Sequence, residues 1–114
     1  MDRDALIRLR DAVKAERLTT AMCEAAWPVR HEHRDEDPAY HAISAYMGYL
    51  DAAFALHEAA LPGWDWSVGN PGNVTVWRPG DDKDFAPYHD ADSDTAARAW
   101  LLAIIEALIA ETPE

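Results

Sequence analysis

Cysteine is almost missing from this chain: Cys23 stands alone among 114 residues. A disulfide framework needs pairs, so none is available, and a single thiol fits a reducing compartment. No apolar run approaches the roughly 20 residues of a membrane-spanning helix. The opening Met1-Asp2-Arg3-Asp4 is unlike a secretory signal, so the chain is expected to be soluble and intracellular. Positive charge is scarce as well. Ten Lys and Arg face 21 Asp and Glu, a net charge of −11, which repels phosphate backbones and argues against direct nucleic-acid binding. Internal repeats and low-complexity segments are absent. What remains is a chain that is 49% apolar and of a length suited to one compact domain spanning residues 1–114.

The negative charge is unevenly placed. Residues 1–30 hold six basic and five acidic residues, whereas the remainder holds four basic and sixteen acidic ones. A field so one-sided steers a cationic partner, although the same excess also serves solubility alone.

Asp4 to about Trp27 contains no Gly or Pro, and Leu6, Leu9 and Val13, then Leu18 and Met22, recur at three- to four-residue steps. This N-terminal segment, 1–27, reads as helix, either continuous or jointed between Arg17 and Thr20. Val29 to Pro38 has no apolar period and reads as an exposed loop. A second helix is expected from Ala39 or Ser44 to Ala60, within 39–61, with Ile43, Met47, Leu50, Phe54 and Leu61 on one face. Leu61-Pro62-Gly63 stops it. Trp64 to Val68 alternates at period two, Gly69-Asn70-Pro71-Gly72-Asn73 carries turn chemistry, and Val74 to Trp77 is rich in strand formers. Together they predict a β-hairpin over 64–77. Phe85 to His89 is a candidate short third strand. Ser93 or Asp94 is expected to cap a final helix, 93–111, bearing Trp100, Leu101, Ile104, Ile105 and Leu108. The fold class implied is α+β: a small antiparallel sheet of two or three strands, built on the hairpin and packed with three to four helices. The expected packing is Trp64, Trp66 and Val68 against Ile104 and Leu108.

Tyr46-Met-Gly-Tyr-Leu-Asp-Ala-Ala-Phe-Ala-Leu56, Leu61-Pro-Gly-Trp-Asp-Trp-Ser-Val68, Val76-Trp-Arg-Pro79 and the run from His89 to Leu102 together resemble the phage "ABA sandwich" domain family. The likeness covers residues 40–110 well and 1–27 loosely. The family's usual Gly-Pro break in the first helical segment is replaced here by Glu16-Arg17-Leu18-Thr19. The resemblance implies a phage or prophage accessory protein acting in the cytoplasm of a bacterial host, and it transfers no catalytic residue. By analogy of origin and charge, such a protein is expected to inhibit a host defence or nucleic-acid-handling protein, in an anti-CRISPR-like or other anti-defence role.

Among the residues themselves, the candidate partner-binding set is acidic: Glu32, Asp35, Glu36 and Asp37 in one segment, and Asp81, Asp82, Asp84, Asp90 and Asp92 in another. Trp77 is a candidate anchor beside them, although for Trp77 and Trp27 ordinary burial is the alternative. The expected partner is a host protein with a basic surface, and the hairpin edge leaves pairing with a second copy open. No cofactor is implied. His31 and His33, with His41 and acidic neighbours, have metal-ligand chemistry but lack helical His-x-x-x-His spacing, so a solvated loop is the simpler account. This metal-binding or metal-dependent alternative stands beside a third, a structural or assembly part of a phage particle. Cys23 lies in an amphipathic run and is expected to be core filler. The acids before the last helix suit its N-terminal dipole, and they lack the Gly and closing Glu of a calcium loop.

Overall fold

The computed structural model describes residues 2–28, 37–69, 72–78 and 88–112. Helix α1 (Arg3–Lys14) is opened by the Asp2 carboxylate, which accepts from the Asp4 and Ala5 amides at 3.0 and 3.4 Å. It buries Leu6, Leu9 and Val13 at the expected spacing. The chain then turns out of the helix at Glu16, whose φ of 57° is left-handed. The Glu16 amide donates to the Val13 carbonyl at 3.2 Å and the Arg17 amide to Ala12 at 2.9 Å, the two bonds of a Schellman helix end. Thr19 caps α2 (Thr20–Ala26) by accepting from the Met22 amide at 3.3 Å. The N-terminal segment is thus jointed, with Glu16 in a position that glycine usually fills.

The expected single helix over 39–61 is two helices, α3 (Pro38–Tyr46) and α4 (Leu50–Ala60). Gly48, at φ 105°, ends α3 in a second Schellman motif. Its amide donates to Ala45 at 3.0 Å, and the Tyr49 amide donates to Ser44 at 3.1 Å. A left-handed residue inside an apolar run redirects the chain without interrupting hydrophobic periodicity, which is why the break escapes a periodicity argument. The proposed common face is lost with it. Helix α4 buries Ala53, Leu56 and His57, while Met47, Leu50 and Phe54 remain exposed.

Strands β1 (Asp65–Gly69), β2 (Asn73–Trp77) and β3 (Tyr88–Asp92) form an antiparallel sheet in that order. Trp66 pairs with Val76 and Val68 with Val74; on the other side Val76 pairs with His89 and Val74 with Ala91. Of the expected third strand, Tyr88 and His89 belong to β3 and Phe85 to Pro87 lie outside the described residues; β3 also takes up Asp90 to Asp92, residues read as a helix-leading acidic run. Thr95, rather than Ser93 or Asp94, caps α5 (Ala96–Glu111), its hydroxyl accepting from the Arg98 amide at 3.1 Å. Ser93 is committed to the sheet end: its amide donates to the Gly72 carbonyl at 3.1 Å. Gly72 sits at φ 104°, and a β-carbon there would collide with the Ser93 carbonyl oxygen.

Helix α5 is the centre of the molecule. It buries residues on every side, from Ala97 through Ile109, because β2 and β3 lie against it on one flank while α1, α3 and α4 pack on others. Alanines at 97, 99, 103 and 107 are buried and let neighbouring backbones approach closely. Val74 and Val76 are fully buried on the strand that lies against α5, whereas of the residues expected there Trp64 is half-buried, Trp66 meets α5 at Trp100 while staying partly open, and Val68 is exposed. The architecture is α+β as expected; among the described residues five helices, where three to four were expected, stand about a three-stranded sheet. None of the described helices is long and apolar enough to cross a membrane.

Candidate functional site

Strand pairing assigns side chains to two faces. Trp66, Val68, Val74, Val76, His89 and Ala91 share the inner face; Asp65, Ser67, Asn73, Thr75, Trp77 and Asp90 share the outer one. Because α5 lies over β2 and β3, the inner face of β1 is, among the described residues, a margin that the helices cover only in part, Trp100 and Phe54 meeting Trp66 there. There Trp66 is 41% exposed and Val68 40%, beside Phe54 at 44% and Leu50 at 47% on α4.

This margin is joined to the core through aromatic rings. Phe54 meets Trp66 edge-on at 6.1 Å between centroids and meets Trp100 at 6.0 Å, while Trp66 lies against Trp100 at 4.6 Å. Trp100, buried on α5, donates its indole N–H to His57 Nδ1 at 3.1 Å. An indole nitrogen only donates, so Nδ1 accepts, and the imidazole proton resides on Nε2, which donates to the Trp64 carbonyl at 2.8 Å. Both ring nitrogens of this fully buried histidine are engaged. His57 holds α4, α5 and the entry to β1 together and offers no base to a substrate. Sequence reading passed it over; the available signal was a polar residue beside Leu56 on an otherwise Ala/Leu-rich helix, in a chain whose buried tryptophans need acceptors.

The sequence-derived candidates fall in several places. Trp77 is half-buried on the outer sheet face, which also carries Asp90 and Asp65, both exposed. Asp37 is not part of an exposed acidic loop: it immediately precedes the Pro38 start of α3 and is only 7% exposed. Glu32, Asp35, Glu36, Asp81, Asp82 and Asp84 lie outside the described residues, as do His31, His33 and the side chain of Asp92. Trp27 is buried at the end of α2. Among the described residues no three His, Cys, Asp or Glu side chains are grouped to hold a metal ion. Cys23 is fully buried, and burial, followed by the nearby Glu24 charge, pushes its thiol pKa up to about 12. Such a thiol is protonated at neutral pH and is a core side chain, not a nucleophile.

One open depression, of about 210 Å³, includes Lys14, Glu16, Asp94 and Arg98 in its wall. Three of these charges, Arg98, Glu16 and Lys14, are engaged with one another or with the fold. Arg98 pairs with Glu16 at 3.3 Å, stacks 4.4 Å over the Tyr46 ring, and donates from Nε and a terminal nitrogen to the Tyr46 carbonyl at 3.1 and 2.9 Å. Lys14 lies 3.9 Å from Glu106. This cluster is a structural tie.

The class defined by these features is architectural, a three-stranded antiparallel sheet wrapped on a central helix. No family model, curated protein or solved structure matches the chain.

Proposed function

We propose that the protein is a non-enzymatic binding protein that engages a basic surface on a protein partner. The observation that carries this reading is the outer face of the sheet, where the half-buried Trp77 ring shares a surface with exposed Asp65 and Asp90 in a chain of net charge −11. An aromatic anchor within an acidic field supplies both contact area and steering toward a cationic site. The acidic stretches containing Glu32, Asp35 and Glu36, and Asp81, Asp82 and Asp84, extend that charge along the chain. In the phage or prophage setting suggested by the resemblance, the partner is a host defence or nucleic-acid-handling protein whose phosphate-binding site the acidic face covers.

The test is affinity capture from bacterial cells after nuclease treatment, comparing the parent with a Thr75→Lys, Asp90→Lys variant whose folding is verified by circular dichroism. Capture of one nucleic-acid-handling complex is expected, falling with rising salt and reduced at least about tenfold in the variant. A folded variant that retains every captured protein would overturn the reading.

A further inference from the structure

We infer that the bare margin between α4 and β1 is a docking site for an extended segment of a protein partner, in which apolar residues alternate with Lys or Arg. The site lies on the opposite side of the sheet from Trp77 and Asp90, and it does not depend on the function proposed above.

Leu50 and Phe54 stand one turn apart on α4, on one face of that helix. Phe54 touches Trp66, and Val68 follows two residues along the same face of β1. The four make a continuous apolar strip, all at least 40% exposed, and Met47 and Tyr49 extend its α4 end at the corner between α3 and α4, at 69% and 63%. An apolar strip that a soluble fold leaves open beside a sheet marks an interaction surface. Beside it runs an open backbone edge. In the order β1-β2-β3, strand β1 has β2 on one side and, among the described residues, no strand on the other. Among the described residues, then, no strand takes the outward N–H and C=O groups of β1, and they can pair with a fourth strand. A strand added there presents alternate side chains to Trp66 and Val68, within reach of Phe54 and Leu50. Its intervening side chains fall on the face that carries Asp65.

Charge selects the occupant. Residues 35–77 contain no Lys or Arg, and the strip is bordered by exposed acids: Asp51 follows Leu50, Glu58 stands one turn beyond Phe54, and Asp65 precedes Trp66. A second copy would bring the same anionic border and its own charge of −11 against this one. A segment with cations between its apolar residues instead sets them beside Asp65 on the outer face, within the field of the α4 acids, while burying its apolar side against the strip.

The probe is a short capped peptide of alternating valine and lysine, titrated against the full chain by tryptophan fluorescence, with hydrogen exchange read across 65–69. The expected result is saturable binding with new protection of the β1 amides. Binding should weaken at least about tenfold when glutamate replaces lysine, when alternate peptide nitrogens are methylated in either register, and in a Leu50→Ser, Val68→Thr variant of the protein. Both substituted side chains are exposed, so that variant should keep the parent's circular dichroism. The inference is overturned if the peptide does not bind at up to about 1 mM. It is equally overturned if a serine–lysine or N-methylated peptide binds as well as the parent, which is adhesion by charge alone. Sedimentation showing a dimer whose β1 amides are already protected would assign the strip to a second copy and overturn it too.

Discussion

Trp100 and His57 show how a single buried pair orders its surroundings. The indole N–H has one acceptor, His57 Nδ1 at 3.1 Å, and that acceptance sends the imidazole proton to the Trp64 carbonyl. Replacing Trp100 by Phe removes core volume and leaves a buried acceptor without its donor, at a cost of about 2–4 kcal/mol. Urea denaturation should show this loss. The Trp100→Phe, His57→Leu double variant should lose less than the sum of the two single changes, because neither member of the indole–imidazole bond is then left unpaired, and the Trp64 carbonyl loses its donor only once, as in the His57 single change. Additive losses would mean that the two side chains are not coupled. Neither residue type announces this pairing in the sequence, since the partners lie 43 positions apart.

Helix ends decide how the elements are arranged. Two Schellman corners, at Glu16 and at Gly48, turn what read as two long helical segments into four helices. Arg98 then ties three of the pieces together. As a cation in the first turn of α5 it opposes that helix's dipole, yet it donates to the terminal carbonyl of α3 and pairs with the Glu16 corner. Arg98→Ala should therefore lower stability by about 2–3 kcal/mol in chemical denaturation, and Arg98→Lys should recover less than half of it, because a point charge cannot reproduce the fork. A loss below about 0.5 kcal/mol would reduce Arg98 to an ordinary surface charge. The hairpin and the closing helix were readable because turn residues and apolar spacing are local signals. The break at Gly48 was not, since nothing in Ile43 to Phe54 interrupts the apolar period. The aromatic strip was misplaced for a related reason. Trp66 and Val68 do lie on the helix-bearing side of the sheet, but α5 sits over β2 and β3.

At the scale of the molecule, charge and burial combine at His89. It lies half-buried on the inner sheet face, and burial lowers its pKa from 6.5 despite the opposing pull of Glu106 and Glu111; Arg78 lowers it further and Asp90 raises it. The folded chain thus binds this proton less readily than the unfolded chain. Its contribution to stability is whole above the unfolded value and declines as pH falls toward the folded one. Between about pH 7.5 and 5.5 the parent should lose more stability than a His89→Gln variant, as measured by urea midpoints in parallel. Equal losses would show that the imidazole is not the titrating group.

Sequence alone determined the quantities that are sums or short-range patterns: the charge of −11, the α+β composition, the hairpin and the apolar closing helix. Each follows from residue counts, from the 3.6- and 2-residue periods, or from Gly, Pro and Asn at a turn. Tertiary structure decided what becomes of those apolar faces. A helix of fixed width covers only part of a three-stranded sheet, so the placement of α5 over β2 and β3 buries Val74 and Val76 and leaves Trp66, Val68, Phe54 and Leu50 at the surface.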